Sequence, residues 1–413
     1  FHPVLHIAVI AVRRSCLYVA DGMGVQDYLQ WFRHHYPEAA LQWRLSLQKR
    51  AMQVNDWYPL PVHPYQLQRV LPEKFAAEIQ RGDIVLLDDV SMAVAPTMSF
   101  RTVCALNDEA APHIKLPVGL RLTTAQRTVS PKSVIMGPRI SQLLRQILQR
   151  EHGFAQTLDI AAEITGAYFL DDDDDKARHL SVIYRSNPGH STDNAMMPVP
   201  VACLYADSPF DGEPLICELI RLACGDHAQA PLEYFRQYSR VVLTATLSAY
   251  LLYGIAFEAH QQNSYLRLDP QFRPVQLQVR DFGDLRVYQP VLAANGFVLN
   301  AVREGHSVFT DIQPVREKIL HATMICQLAE FVLLLSRHYQ LPESAFWEIL
   351  RSETESIFDQ LKPRCDADFW QAERQAILHA PWPVKSLLRM RLADTVDDLV
   401  GSMPNPLANT AAA

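Results

Sequence analysis

One segment with side chains suited to chemistry lies between residues 99 and 127. Its polar members include Ser99, Arg101, Lys115, Thr123, Thr124 and Arg127. In a strand over 115–122, alternate apolar side chains would share one face, and Lys115 and Arg121 would share the other. Hydroxyls and a forked guanidinium at a strand end suit the oxygens of a phosphate group. A salt-bridged solvent face would show the same pattern, so this segment alone does not establish a phosphate site.

A second segment places polar side chains directly after a long uncharged stretch, residues 241–257. Its members are Glu258, His260, Gln262, Asn263 and, at the end of a predicted strand, Asp281. A hard cation such as Mg²⁺ prefers oxygen ligands and usually takes one or two carboxylates together with substrate phosphates. Asn263 and Asp281 could supply such oxygens, with Glu258 as a further candidate. The alternative is a helix end capped by amides beside a tight turn.

Taken together, the two segments indicate a nucleotide site, because such a site needs both cationic phosphate ligands and oxygen ligands for a metal. The chain has neither a G-x-x-x-x-G-K-[ST] nor a G-x-G-x-x-G sequence. It contains only 15 glycines in 413 residues. Side chains, rather than a glycine-rich loop, would therefore have to bind the phosphates.

The composition excludes several classes of protein. Hydrophobic residues make up 49% of the chain and charged residues 20%, which suffices for a large core and is unlike a disordered chain. A net charge of −7 provides no overall positive field for nucleic acid or an anionic membrane. Seven scattered cysteines without C-x-x-C spacing are typical of reduced thiols in a cytoplasmic protein. The longest uncharged stretch is short and contains Thr and Ser, so no membrane crossing is predicted.

The elements that must position these side chains differ between the two halves of the chain. Up to about residue 205, short β-branched runs alternate with turn residues, which predicts strands, including one over residues 5–12. Residues 138–149 have the apolar spacing of an amphipathic helix. From about residue 211 the helical period dominates, with a short strand pair at 266–268 and 275–280. The pattern predicts an α+β protein.

Four motifs occur in order and at suitable spacing. They are Pro61-Val-His-Pro-Tyr-Gln66, the run from Lys115-Leu-Pro to Arg127-Thr-Val-Ser-Pro131, Glu258-Ala-His-Gln-Gln-Asn263, and Arg280-Asp281. Together they resemble the IucA/IucC family, the siderophore synthetases that work without a nonribosomal peptide machine. The resemblance spans residues 50–407, and residues 384–392 and 405–407 are similar to the close of the family's C-terminal region.

The resemblance implies an α+β fold shaped like a cupped hand, in which ATP lies between a mostly antiparallel sheet lobe and a largely helical lobe. The expected domains are a remnant of an N-terminal region at 1–49, a β-rich phosphate-binding lobe at 50–205, and a helical lobe with metal and catalytic residues at 206–413. The chain begins with Phe1 and lacks the family's N-terminal helical lobe, so we expect part of that region to be missing.

The chemistry implied by the resemblance is ATP-dependent ligation. A carboxylate attacks the α-phosphorus of ATP, which gives an acyl adenylate and pyrophosphate, and an amine or hydroxyl then displaces AMP. The implied cofactors are ATP and Mg²⁺. The expected partners are a small-molecule carboxylate and an amine, with no nucleic acid and no membrane, in the cytoplasm. The motifs do not decide whether the protein forms a homodimer.

The resemblance also assigns residues. Those implied to line the triphosphate are Ser99, Arg101, Lys115, Thr123, Thr124 and Arg127. His260, Gln262 and Asn263 would hold the α-phosphate and metal, and Asp281 would bind Mg²⁺, with Glu258 as the further metal candidate. Arg127 and His260 are the predicted catalytic residues, because charge develops on the α-phosphate as the carboxylate attacks. The motifs identify no base for the amine step.

Three further residues are candidate substrate contacts, and each has a structural alternative. His63 precedes Pro64 and could equally be a turn histidine. Arg185 could clamp a substrate carboxylate through two hydrogen bonds or be an ordinary arginine at a strand end. Lys385 could contact substrate or belong to the solvated face of a helix.

The function favoured by the sequence is amide formation in siderophore biosynthesis, with a hydroxamate-bearing amine. One alternative is direct condensation of citrate with an amine or alcohol. A second is a non-catalytic homologue that binds nucleotide or siderophore, because residues 4–12 are apolar where the family's first motif is basic and polar. A third is a kinase-like phosphotransferase, which would release ADP rather than AMP.

Overall fold

The computed structural model describes residues 4–106, 108, 110–122, 125–190, 196–302, 305–395 and 398–408. The chain divides into two compact units. Unit 1 comprises Phe1–Gln142 and Ala161–His190, and unit 2 comprises Leu143–Ile160 and Ser191–Ala413. This division differs from the expected domains. Residues 1–49 belong to unit 1, unit 1 ends near residue 190 rather than 205, and residues 143–160 belong to unit 2.

The strands of the described residues are short, apart from the first. They are β1 (Leu5–Arg13), β2 (Leu17–Val19), β3 (Trp57–Val62), β4 (Ile84–Val85), β5 (Ser91–Pro96), β6 (Thr102–Ala105), β7 (His113–Lys115), β8 (Val118–Leu122), β9 (Ala125–Arg127), β10 (Leu158–Ile160), β11 (Glu163–Phe169), β12 (Ser181–Arg185), β13 (Met197–Pro200), β14 (Ile255–Ala256), β15 (Ser264–Leu268), β16 (Pro274–Val279), β17 (Arg286–Tyr288), β18 (Val308–Phe309), β19 (Trp382–Lys385) and β20 (Val400–Met403).

The longest described α-helix, of 24 residues, lies in the second half of the chain. The α-helices are α1 (Tyr28–His35), α2 (Pro37–Lys49), α3 (Leu71–Lys74), α4 (Ala76–Arg81), α5 (Pro131–Arg150), α6 (His152–Thr157), α7 (Asp174–Ala177), α8 (Leu215–Cys224), α9 (Ala230–Tyr253), α10 (Gln289–Ala294), α11 (Gln313–Ile319), α12 (Glu330–Tyr339), α13 (Glu343–Leu361), α14 (Ala367–Leu378) and α15 (Leu387–Leu392). A π-helical stretch, Leu320–Ala329, joins α11 to α12.

Unit 1 is built, within its described residues, on a nine-stranded antiparallel sheet. Its order is β2-β11-β12-β7-β6-β5-β1-β3, with β4 also paired to β1. The predicted strand over residues 5–12 is confirmed as β1, whose Ile7, Val9 and Ile10 are buried in the core. Helix α2 is anchored to this strand, because the indole nitrogen of Trp43 donates to the carbonyl of Ile10 at 3.2 Å.

The single strand predicted over residues 115–122 is wrong, because the chain forms two strands in two different sheets. Strand β7 ends at Lys115 inside the nine-stranded sheet, and β8 begins at Val118 and pairs with β9 in a separate ribbon. Pro117 lies between them and has no backbone N–H to donate to a ladder. Lys115 is therefore buried in the large sheet, whereas Arg121 is exposed on the ribbon. The two side chains do not share one strand face.

The helix predicted at 138–149 begins earlier, at Pro131, and contains Pro138 in its interior. Next to this proline, Gly137 faces a buried ion pair between Glu163 and Arg185, whose Oε1–Nη2 distance is 2.9 Å. A Cβ on Gly137 would lie only 2.1 Å from Oε2 of Glu163. The absence of a side chain at position 137 thus makes room for the buried carboxylate.

Unit 2 is organised around α9, which is buried along most of its length. The helix ends at Gly254, which has a φ of +66° and lies against the backbone of Tyr288. Helices α8 and α13 and strand β16 pack against α9. Strand β16 belongs to a four-stranded sheet of order β10-β16-β15-β13, counted over the described residues. The helical character predicted for the second half of the chain is confirmed.

One described helix, Gln313–Tyr339, is long and apolar enough to cross a membrane by length and composition alone. However, 61% of its apolar window is buried inside the structure. The core helix of a folded domain passes the same test, so this helix is weak evidence for a membrane span.

Replacing Gly137 by Ala should destabilise the protein by about 1–3 kcal/mol, because the new methyl group would overpack the buried Glu163. Gly153→Ala is the matched control, since a Cβ on this second helical glycine meets nothing within 4 Å. The control should be neutral or stabilising by up to about 1 kcal/mol. Urea unfolding of both variants measures the difference, and equal stabilities would contradict the proposed role of Gly137.

Candidate functional site

The antiparallel pairing of β15 and β16 brings the second predicted segment together. Ser264, the first residue of β15, lies opposite Val279, the last residue of β16. The 3₁₀ turn Gln261–Asn263 precedes β15, and Asp281 follows β16, so both lie at the same sheet edge. The backbone N–H of Arg280 donates to the carbonyl of Asn263 at 3.0 Å. The motifs at 258–263 and 280–281 are therefore neighbours in space.

Arg280 fixes the shape of this edge. Its Nε and Nη2 donate to the carbonyl of Gln262 at 3.1 and 2.8 Å, and its Nη1 donates to the hydroxyl of Tyr265 at 3.2 Å. The guanidinium is buried, so it satisfies a turn carbonyl and carries a positive charge beneath the site. The sequence motif included Arg280 but assigned it no role.

His260 lies in this turn beside two other predicted ligands. The amide nitrogen of Asn263 donates to the carbonyl of Glu258 at 3.2 Å and lies 3.4 Å from Nε2 of His260. Burial lowers the pKa of His260, and the Lys318 and Arg280 charges lower it further, while Asp281 opposes them. The imidazole is therefore neutral at pH 7. If Nε2 accepts from Asn263, the proton resides on Nδ1, which leaves His260 as a hydrogen-bond donor.

Sequence reasoning missed Lys318, the buried cation of this cluster. Its Nζ lies 3.3 Å from Oε1 of Glu258 and also bonds to the carboxylate of Asp284. Burial raises the pKa of Glu258 to about 7, against the lowering effect of Lys318. Burial also opposes ionisation of Asp284, but Lys318 holds the pKa of Asp284 below its usual value. In return, the two carboxylates raise the pKa of Lys318 above its usual value despite burial, so Lys318 remains charged.

A signal for Lys318 was present in the sequence. Lys318 follows Val315 by three residues and precedes Ile319 and Ala322, which are buried positions of the same helix face. A lysine on the apolar face of a helix must find an anionic partner, because an unpaired buried charge is very costly. Its partners are 60 and 34 residues away in sequence, so the pattern alone could not name them.

The predicted metal ligands supply oxygen donors of the kind that Mg²⁺ prefers. Asp281 adopts a left-handed backbone conformation, with φ at +69°, at the point where β16 ends. The amide nitrogen of Asn263 is engaged by Glu258, which leaves its oxygen as the ligand atom. Among the described residues, no group of three His, Cys, Asp or Glu side chains is placed to hold a metal ion. The oxygens of Asp281 and Asn263 fit a metal that is also held by substrate phosphates.

Lys385 belongs to a second ionic cluster in unit 2. It lies on β19 rather than on a helix, and its Nζ is 2.9 Å from Oδ1 of Asp398. Arg286 donates to the other oxygen of Asp398 at 2.9 Å. A small cavity next to this ion pair is lined by Lys318 and His321. Burial, together with Lys385 and Lys318, lowers the pKa of His321 to about 4.

Unit 1 brings most of the first predicted segment together. Thr102 lies opposite Lys115 in neighbouring strands, and the N–H of Leu116 donates to the carbonyl of Arg101 at 2.8 Å. Ser99 begins the turn that leads into β6, since its carbonyl accepts from the N–H of Thr102.

The ribbon of β8 and β9 is tied to the same turn. The guanidinium of Arg101 donates to the carbonyl of Thr128, the residue that follows Arg127. Arg127 lies opposite Val118 in this ribbon. Ser99, Arg101, Lys115 and Arg127 thus lie on connected segments, whereas the predicted ligands Thr123 and Thr124 fall outside the described residues.

Two predicted substrate contacts of unit 1 have internal partners. Arg185 is only 1% exposed and bonds to the buried Glu163, so a substrate carboxylate would have to share or displace that partner. Nδ1 of His63 accepts from the backbone N–H of Tyr65 at 3.1 Å, which is the arrangement of a turn histidine. Burial lowers the pKa of His63. The substrate roles of both residues remain predictions.

Comparison with protein-family models finds two matches along the chain. Residues 1–206 match the model of the IucA / IucC family. Residues 232–400 match a model described as a ferric iron reductase FhuF-like transporter. The boundary between the matches follows the change from sheet to helices.

Curated relatives cover nearly the whole chain. An uncharacterized protein y4xN of Sinorhizobium fredii is 40% identical over 98% of this chain and 65% of its own length. The staphyloferrin A synthase of Staphylococcus aureus is 28% identical over 90% of this chain and 61% of its own length. The chain therefore spans less than two thirds of the length of these relatives.

Solved structures share the fold at low sequence identity. The petrobactin biosynthesis protein AsbB of Bacillus anthracis superposes with a TM-score of 0.85 at 21% identity, covering 99% of this chain and 69% of that chain. The ATP-bound aerobactin synthetase IucA of Klebsiella pneumoniae has a TM-score of 0.79 at 20% identity. The match covers 98% of this chain and 70% of that chain. The predicted α+β fold, an antiparallel sheet followed by a helical region, is confirmed.

Replacing Lys318 by Met should lower the free energy of unfolding by about 2–3 kcal/mol, because Glu258 and Asp284 would lose their shared cation. Lys49→Met is the matched control. The Lys49 side chain is 71% exposed and lies 3.6 Å from Asp89, so its loss should cost less than about 0.5 kcal/mol. Chemical denaturation tests the difference, and similar losses in the two variants would contradict the role of Lys318.

His321 should make stability depend on pH. The folded protein keeps this imidazole neutral down to about pH 4, whereas the unfolded chain binds a proton below about 6.5. Stability should therefore fall as the pH drops from about 6.5 to 4. In His321→Gln this loss should shrink by about 1–2 kcal/mol, allowing for partial exposure of the ring. Urea unfolding of the wild-type protein and the variant across this pH range tests the role of His321. If the stability of the two proteins changed with pH in parallel, that role would be contradicted.

Proposed function

Because this chain belongs to the IucA/IucC family, we propose that it acts in siderophore biosynthesis as an ATP-dependent ligase that joins a carboxylate to an amine. The observation that carries the proposal is the meeting of His260, Asn263 and Asp281 at one sheet edge, in a chain whose first half matches this family. The ATP-bound state of the similar aerobactin synthetase supports ATP as the co-substrate.

The first half of the proposed reaction is adenylation. A carboxylate is already ionised at pH 7, so its attack on the α-phosphorus of ATP needs no general base. The new bond forms between carboxylate oxygen and phosphorus as the bond to the pyrophosphate oxygen breaks. Negative charge grows on the α-phosphate oxygens, where Arg127 and the donor nitrogen of His260 would stabilise it. Ser99, Arg101 and Lys115, with Thr123 and Thr124, would bind the triphosphate.

Magnesium would be held by oxygens of Asp281 and Asn263, and Gln262 would contact the α-phosphate. When bound, the cation would neutralise charge on the phosphates. Glu258 is the third metal candidate, but its carboxylate is bonded to Lys318. Lys318 therefore limits how Glu258 can turn, and keeps a positive charge next to the donors when no metal is present.

In the second half, an amine would attack the acyl carbon and displace AMP, giving an amide. Two similar proteins are named D-ornithine–citrate ligase and citryl-spermidine/3,4-dihydroxybenzoyl-citryl-spermidine:spermidine ligase. These names favour citrate or a citrate derivative as the carboxylate. Arg185 and Lys385 would contact the substrate carboxylates, and His63 would be a further contact. A hydroxamate-bearing amine remains the proposed nucleophile, and condensation of citrate with another amine or an alcohol is the alternative.

Arg127→Ala and His260→Ala should each lower the rate of adenylation by about 10²–10³-fold, the loss expected for one preorganised donor. Carboxylate-dependent exchange of pyrophosphate into ATP measures this step. Arg145→Ala, a change of an exposed arginine on α5, is the control and should keep the wild-type rate. Two folded variants with near-normal exchange would remove both residues from the mechanism.

Product analysis tests the reaction class. With citrate and an amine as substrates, the protein should release AMP and pyrophosphate in equal amounts. Formation of ADP would indicate a phosphotransferase instead. ATP binding without pyrophosphate release for any carboxylate would support a non-catalytic binding protein.

A further inference from the structure

Unit 1 contains a cavity of about 410 Å³ that none of the proposed chemistry uses. It is formed by α1, α2, the turn after β1 and the start of β3. Its volume lies in the range of sites for small organic ligands. All of its lining residues fall between positions 14 and 59, so none of them belongs to the motifs at 99–127 and 258–281.

Three arginines from three different elements line this cavity. Arg14 comes from the turn after β1, Arg33 from the last turn of α1, and Arg44 from α2. Among the described residues, neither Arg33 nor Arg44 forms an ion pair. Both are therefore positive charges without an internal counter-charge.

Of the three arginines, Arg14 is held against an aromatic ring. The guanidinium carbon of Arg14 lies 4.6 Å from the centre of the Tyr58 ring. Its Nε is buried and has no hydrogen-bond partner among the described residues.

The carboxylate that lines the cavity is already engaged. Oδ1 of Asp27 accepts from the backbone N–H groups of Leu29 and Gln30, at 2.9 and 3.4 Å, and so caps the start of α1. This role holds Asp27 at the helix N-terminus, where its charge is favourable. It leaves the guanidinium groups available to a ligand.

The remaining wall of the cavity is apolar. Phe32 and Trp43 are almost fully buried, and the indole of Trp43 is held by its bond to Ile10. Leu41 lies at the rim and is 49% exposed. A ligand with an apolar body would cover this surface while its charged end meets the arginines.

We propose that this cavity, which we term the arginine cavity (Arg14, Arg33, Arg44, Phe32 and Trp43), binds a small organic anion. The ligand has an apolar body and a carboxylate or phosphate group, since guanidinium groups bind either oxyanion through paired hydrogen bonds. The site shares no residue with the proposed ATP site, so the proposal does not depend on the ligase reaction.

Site-specific arginine labelling tests the proposal. The full chain is treated with phenylglyoxal at constant ionic strength, alone or with phenyl phosphate, phthalate or inorganic phosphate, and each arginine is followed by mass spectrometry. Phenyl phosphate or phthalate should slow labelling of Arg33 and Arg44 at least threefold. Exposed Arg69, outside the cavity, is the internal control and should react at an unchanged rate. The more effective probe identifies the charged group.

Variants separate this site from the proposed ligase site. Arg33 and Arg44, which are both exposed, are replaced together in the double variant Arg33→Gln and Arg44→Gln. Calorimetry should show that this variant binds phenyl phosphate or phthalate at least tenfold more weakly. Its rate of pyrophosphate exchange should be unchanged. In Arg127→Ala, the protection of Arg33 and Arg44 should persist. Absence of protection, equal protection of Arg69, or equal protection by inorganic phosphate would overturn the proposal.

Discussion

The ammonium group of Lys318 organises the candidate site of unit 2, because it is a buried charge shared by two carboxylates from different segments. Glu258 precedes the His260–Asn263 turn, and Asp284 follows Asp281. Removing a charge from water is costly unless partners surround it, so the three side chains must be packed together. The helix that carries Lys318 is thereby tied to both turns at the sheet edge. The segments at 258–263 and 280–284 are positioned by that tie and by the pairing of β15 with β16.

Much of the fold and part of this site could be predicted from the sequence. Period-two and helical patterns predicted the sheet-rich and helical halves, because both patterns follow directly from local backbone geometry. Asn263 and Asp281 were predicted as ligands of the same metal, and the pairing of β15 with β16 brings their segments together. Lys318 was not found, because its partners are set by tertiary packing over 34 and 60 residues. No local pattern contains that information.

Unit 1 shows where local patterns fail. A continuous alternation of apolar and polar residues predicted one strand over 115–122, but Pro117 divides it between two sheets. The period gives the side of a strand on which a residue lies and does not give the sheet to which the strand belongs. Arg185 was ambiguous for a related reason, since its partner Glu163 lies on the neighbouring strand and is fully buried. The division of the chain into units also depends on such long-range contacts.

The left-handed conformation of Asp281 has a consequence for how this protein can be improved. A residue with a side chain pays a conformational penalty at positive φ, and glycine would relieve it. Glycine would also delete the carboxylate proposed to bind the metal. Engineering for heat resistance alone would therefore favour a substitution that removes the proposed metal ligand, so a library screened only for folding would select against that carboxylate.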